Sequence, residues 1–236
     1  SNSDAGPIYG AGLRCNNASP RIENCRFINN RAVWEEPDPG TGVYGAGAAV
    51  YCLNDAAPTF QQCEFIDCES HEGGGAVYCY ISSPVFINCT FTGCKTHHHG
   101  GAIAMHSGSL QAENCVFTDN MVQIGSGGAI QCSSSDAVVH SCEFTGNRAI
   151  FGGAISFYYT NSTVGGSAET GNAFRDNRAG AGADLFSYEA ETTILAGYNT
   201  FHGLMESDYY VTPASEFDLT HSSSMGQPIT SDVYID

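Results

Sequence analysis

Two tetrapeptides alternate along this 236-residue chain, and their period restricts the fold more than any other feature. The first reads Gly-Gly-Ala-Ile or a close relative, at Gly74 to Val77, Gly100 to Ile103, Gly127 to Ile130 and Gly152 to Ile155, with degenerate copies at Gly10 to Leu13, Gly47 to Val50 and Gly182 to Leu185. The second is Phe-x-x-Asn, at Phe27 to Asn30, Phe117 to Asn120, Phe144 to Asn147 and Phe174 to Asn177. Cys replaces the Asn in Phe65 to Cys68 and Phe91 to Cys94, and Phe201 lacks the final polar residue. Successive Phe positions lie 38, 26, 26, 27, 30 and 27 residues apart, a period near 26 with one long insertion. Helical repeats run to about 33–47 residues, and the apolar period of about 3.6 residues that they require is absent.

Inside each repeat the pattern is two-residue. In Ile22-x-x-Cys25-x-Phe27 and Phe86-x-x-Cys89-x-Phe91 the Cys and Phe share a parity and face the same way. Glycine pairs and Asn mark the corners, since Gly adopts positive φ freely and Asn tolerates it. Short strands, sharp corners and this period predict an all-β chain, a single-stranded parallel β-helix of about seven rungs. Each rung stacks on the last at about 4.8 Å. The expected layout is a short lead at 1–9, the β-helix at 10–204 with an insertion loop at 33–44, and a tail at 205–236. That tail is expected to cap the stack or to pass to a neighbouring subunit, because an uncovered terminal rung exposes unpaired backbone.

Register accounts for all eleven cysteines. Cys25, Cys63, Cys89, Cys115 and Cys142 lie two residues before the Phe; Cys15, Cys52, Cys79 and Cys132 lie two after the Ile position; Cys68 and Cys94 replace the Asn. They are expected to form inward ladders, either as free thiols packed like small hydrophobes or as inter-rung disulfides. The parallel Cβ vectors of stacked neighbours strain a bridge. No Cys-x-x-Cys pair is present to point to zinc.

The paired tetrapeptides resemble the polymorphic outer-membrane-protein repeat, found in the passenger domains of chlamydial autotransporters and in large secreted β-helix proteins. The resemblance spans residues 10 to about 204. It implies a right-handed β-helix outside the cell or on its surface, used in adhesion or surface architecture. Its partners would be other copies of the chain or other surface proteins and glycans. No barrel sequence follows the repeat within these residues, so a membrane anchor and the chlamydial role do not carry over.

Charge narrows the partners further. Eight Lys and Arg against 25 Asp and Glu give a net charge of −17, which excludes nucleic-acid binding because phosphates must be met by cations. No run of about 18 apolar residues is present, so no membrane insertion is expected.

Function, if it is written in side chains, sits on the outward positions. Tyr51, Tyr78, Tyr80, His106 and Tyr158 are expected to line a strip suited to sugar rings or a protein partner. His97, His98 and His99 precede a Gly-Gly corner, and His71 occupies the position of His97 one rung earlier; stacked imidazoles there are candidate metal ligands. No cofactor is implied elsewhere, except that Glu35, Glu36 and Asp38 of the insertion offer carboxylates to calcium without a spaced calcium-loop pattern. Asn17, Asn88 and Asn161 begin glycosylation sequons, relevant only in a eukaryotic secretory source.

Polysaccharide lyases and hydrolases also use parallel β-helices and are the alternative function, as is a carbohydrate-binding β-helix. Lyase or hydrolase chemistry needs clustered carboxylates, with an Arg or Lys base for the lyases. The outward positions before the Phe are Arg26, Glu64, Thr90, Val116 and Glu143, and those after it are Ile28, Ile66, Thr92, Thr118 and Thr145. No acidic cluster forms in either row. The expectation is therefore a non-catalytic structural or adhesive module that can stack head to tail.

Overall fold

The computed structural model describes residues 9–33, 45–165, 170–188, 192–195 and 199–202, with short strands at 209–211, 215–218, 223–224 and 227–228. These residues form a right-handed parallel β-helix. Eight strands stack along the longest sheet, from Leu13–Asn16 through Val50–Ala56, Val77–Ser82, Ile103–Glu113, Ile130–His140, Ile155–Tyr158 and Leu185–Tyr188 to Tyr209–Val211. That is one layer more than the repeat count of about seven. A second sheet holds the strands centred on the repeat Phe residues, from Arg26–Ile28 to Thr200–His202, and continues through Ser223–Ser224 to an antiparallel Gln227–Pro228. A third, short sheet holds Arg31–Ala32, Glu69–Ser70, Lys95–Thr96 and Met121–Val122. Among the described residues no helix is long and apolar enough to cross a membrane.

Left-handed residues make the corners, and they fall in columns. The first Gly of each Gly-Gly-Ala-Ile unit is one column; Asn24, Gln62, Asn88, Asn114 and Ser141 are another; Asn29, Asp67, Gly93, Asp119, Gly146 and Asp176 are a third. The Asn of Phe-x-x-Asn was expected at such a corner. The residue before it takes the positive φ instead, and the Asn turns inward: Asn120 and Asn147 are fully buried and Asn177 nearly so. Their amides form a continuous ladder. Asn147 Nδ2 donates to Phe117 O at 2.9 Å and to Asn177 Oδ1 at 2.9 Å, while Asn147 Oδ1 accepts from Asn120 N and Nδ2 at 3.1 and 3.0 Å.

The repeat Phe side chains stack down the core. Ring centroids from Phe27 through Phe65, Phe91, Phe117, Phe144 and Phe174 to Phe201 are 4.6–5.0 Å apart. Phe60 and Phe86 stack beside them and meet Phe65 edge-on. The stack opens at its first rung, where Leu13, Ile22 and Phe27 are only partly buried. At the other end Tyr209–Val211, Ser215–Asp218 and Ser223–Ser224 pair in parallel with preceding strands of the same chain. The insertion carboxylates Glu35, Glu36 and Asp38 lie outside the described residues.

All eleven cysteines are free thiols, and only Cys25, on the open first rung, is exposed. Cys15, Cys52 and Cys79 are register partners, and Met105 interrupts their column before Cys132. The other two columns do more than fill space. Cys94 Sγ donates to Phe65 O at 3.6 Å, the same bond that Asn120 Nδ2 makes to Phe91 O one rung later at 3.0 Å. Cys89, Cys115 and Cys142 likewise donate to carbonyls of the preceding rung at 3.5 Å, and Asn172 continues their column with an amide. A thiol thus stands in for an asparagine amide, weakly, at an inside corner.

Burial sets the chemistry of these thiols. Desolvation, with Asp136 adding to it, pushes Cys132 up to about 12, and a hydrogen bond with Cys142 is the first cause of a similar rise at Cys115. In the Cys68–Cys94 pair, the contact between the two thiols is the first cause of a lowered Cys68 and a raised Cys94. Thiolate is the reacting species, so protected and mostly raised thiols react slowly. Iodoacetamide added to the native chain at neutral pH is therefore expected to alkylate Cys25 and leave the other ten intact until the chain is denatured, read by intact mass and peptide mapping. Rapid alkylation of several buried positions in the native state would contradict this packing.

Candidate functional site: an aromatic groove beside a histidine corner

The outward residues of the long sheet fall into two columns where the sequence led us to expect one strip. Tyr51, Tyr78, Ala104, Gln131 and Ser156 are register partners in the first; Leu53, Tyr80, His106, Ser133, Tyr158 and Tyr188 are partners in the second. Tyr51 and Tyr78 stack at 5.5 Å with planes 4° apart, and Tyr9 adds to that end at 4.8 Å. Tyr80 and His106 stack at 5.5 Å in the second column, and Tyr158 meets Tyr188 at 5.8 Å.

The first column loses its large side chains at Ala104 and the second one rung later at Ser133, and there a groove opens. Small or polar side chains, Ala104, Gln131 and Ser133, follow the large Tyr78 and His106, and the aromatic surface resumes at Tyr158. The result is an open cavity of about 290 Å³ lined by Tyr78, His99, His106, Gln131, Ser133 and Tyr158. Tyr51 and Tyr80, expected in the site, lie on the same face but outside this lining. Gln131 and Ser133 were missed, although both share the outward parity of Tyr78 and Tyr80 and sit two repeats further on.

The groove offers rings and neutral hydrogen-bonding groups. Burial, followed by neighbouring Tyr51 and Glu72, pushes the Tyr78 phenol up to about 12, so it stays a donor at neutral pH. Burial also raises Tyr158. His99 is exposed as a residue, yet desolvation of its ring, then the neighbouring His98 and His106, lower its pKa, which keeps it neutral. No carboxylate lines the cavity. On the Phe-centred sheet Arg26 pairs with Glu64 at 2.6 Å, and Arg31 pairs with Glu69 at 3.5 Å beside it on the third sheet. These pairs are exposed, and each contributes about 0–1 kcal/mol.

The candidate metal ligands sort into two groups. Lys95–Thr96 pairs with Glu69–Ser70, which sets His97 over His71, and His97 N donates to His71 O at 3.2 Å. The two rings stack at 4.9 Å, while the His98 ring stands edge-on to both, at 4.8 Å from His97 and 5.5 Å from His71. His97 Nδ1 and His98 Nε2 face each other at 3.3 Å. One ligating nitrogen from each of His71, His97 and His98 falls within 4.8 Å of the others. Burial first, and then His97 and His98, lower the His71 pKa, partly opposed by Glu72. His99 does not join them. Its Nδ1 lies 3.4 Å from Ser126 Oγ and its ring faces the groove.

The three sequon asparagines, Asn17, Asn88 and Asn161, are exposed. Asn17 and Asn88 hold positive φ at turns, and Asn161 N donates to Asp136 Oδ1 at 2.9 Å.

Residues 11–197 match the family model described as right handed beta helix region, which covers most of the chain, and the chain belongs to that family. No curated protein and no solved structure matches it.

Proposed function

We propose that this member of the right-handed β-helix family is a non-catalytic module of the cell surface or extracellular space that binds neutral glycans through the aromatic groove. The carrying observation is the groove itself, with tyrosine faces at both ends and neutral donors and acceptors between them. Sugar rings present C–H faces to aromatic rings and hydroxyls to amide and hydroxyl groups, which is the complement of this lining. A net charge of −17 repels polyanionic polysaccharides and favours uncharged ones. The resemblance of the paired tetrapeptides to the polymorphic outer-membrane-protein repeat supports the extracellular placement and an adhesive use. The partly exposed first rung, Leu13, Ile22 and Phe27, is the surface on which contacts with another copy would form.

Affinity electrophoresis in gels containing neutral polysaccharides tests the reading. Retardation is expected, with Tyr78→Ala and Tyr158→Ala each weakening it about two- to tenfold, the worth of one aromatic contact, and with polysaccharide length unchanged after incubation. Cleavage of polygalacturonate or another polymer, or retention indifferent to both substitutions, would overturn it.

A further inference from the structure

We propose that His71, His97 and His98 form a binding site for a divalent transition ion of the zinc, copper and nickel group. The site is independent of the glycan reading, because none of the three lines the groove.

Geometry carries the argument. A tetrahedral ion bound at about 2.0–2.1 Å from imidazole nitrogens sets neighbouring nitrogens about 3.3 Å apart. His97 Nδ1 and His98 Nε2 already stand at 3.3 Å. All three ligating nitrogens lie within 4.8 Å of one another, so the His71 ring has to close by no more than about 1.5 Å to reach tetrahedral spacing. Rotation about its side-chain torsions supplies that without moving the backbone.

The fold holds the three side chains in place before any ion arrives. His71 and His97 are fixed one above the other by strand pairing, and Ser126 N donates to His98 O at 3.1 Å. Ser70 Oγ donates to Thr96 Oγ1, which donates to His71 O, each at 3.2 Å, so the chain entering the corner is pinned from inside. All three histidines are part-exposed, which gives an ion a route from solvent and leaves room for water as a fourth ligand.

Ligand type selects the ion. Imidazole suits zinc, copper and nickel, whereas calcium and magnesium require oxygen donors. The acidic surface raises the local concentration of cations, and Glu72, close enough to act on the His71 ring, offsets part of the ion's charge.

The test is calorimetric titration of Zn²⁺ and Ni²⁺ into the full chain, prepared without a polyhistidine tag and stripped with a chelator. One ion per chain is expected. His97→Ala and His98→Ala should each weaken binding about tenfold or more, while His99→Ala leaves it within about twofold. Thermal melting of the variants in chelator, unchanged from the parent, shows that the fold is intact and assigns the loss to the ligands. Absence of saturable binding, binding that survives His97→Ala and His98→Ala, or an equal loss with His99→Ala would each overturn the site.

Discussion

Asn147→Leu is expected to destabilise the chain by about 2–4 kcal/mol, as two orphaned buried donors at about 1–3 kcal/mol each, with a lost bond to a carbonyl, are only partly offset by a buried apolar side chain. Asn147 is fully buried, and its side chain makes four hydrogen bonds to neighbouring rungs. Leucine removes all four and leaves Asn120 N–H and one Asn120 amide hydrogen without partners in a place that water does not reach, while Phe117 O, a member of a paired strand, loses only its side-chain donor. Asn177 suffers less, since its Oδ1 still accepts from Asn147 N at 2.9 Å. Asn147→Cys is the informative comparison, with an expected cost of about 1–2 kcal/mol. The chain already uses a thiol at this corner, where Cys94 Sγ donates to Phe65 O at 3.6 Å. In the other inward column, that of Cys89, Cys115 and Cys142, a thiol also accepts: Cys115 N donates to Cys142 Sγ at 3.4 Å. Urea unfolding followed by circular dichroism reads both variants. Equal costs for Leu and Cys would show that volume and not hydrogen bonding governs this column.

That contrast also marks how far the sequence could be read. Spacing alone was enough to place every cysteine in a column, because a period near 26 with two-residue alternation leaves each residue one position on the rung. It did not show what the columns do. Asn at a corner is ordinarily a residue of positive φ, and the expectation for Asn120 and Asn147 followed that rule. Which of two adjacent residues bends and which turns inward is decided by the carbonyls of the rung before, and those are tertiary partners.

The outward face divides in the same manner. Parity correctly put Tyr51, Tyr78, Tyr80, His106 and Tyr158 outside, yet parity cannot tell neighbouring outward columns apart when repeat lengths vary. A register irregularity between Leu53 and Ala56 displaces the pairing on one side of the sheet, and the groove arises from what the columns lack at Ala104, Gln131 and Ser133. A search for large side chains passes over it. For the histidines, the spacing of 26 residues between His71 and His97 was legible as a stack. The division of His98 from His99 was not, because consecutive residues at a corner point apart according to the local backbone.

Gly127→Ala is expected to cost about 3–5 kcal/mol, more than a left-handed backbone alone explains. A non-glycine residue in this conformation costs about 1–2 kcal/mol, and the chain accepts it often: Asn88, Asn114, Ile81 and Tyr159 all hold φ between 50° and 56°. Positive φ is therefore not what demands glycine at the start of each Gly-Gly-Ala-Ile unit. Space is. A Cβ on Gly127, at φ +71, would lie 2.2 Å from Ile130 O and 2.6 Å from Ile130 C, both backbone atoms at the start of a central strand. Relief requires the strand itself to move, and its ladder to both neighbouring rungs resists. Gly146 supplies the control, with nearly the same φ of +69 but a different neighbour, since its Cβ would meet Asp119 Oδ1 at 2.4 Å. Asp119 is an exposed side chain that can swing into solvent, so Gly146→Ala should cost only the conformational share, about 1–2 kcal/mol. Equal destabilisation by the two substitutions, measured by urea unfolding under one set of conditions, would place the cost in φ and refute the steric account. A difference of about 2 kcal/mol or more is what a backbone clash adds to strain that glycine-free corners elsewhere in the same chain already bear.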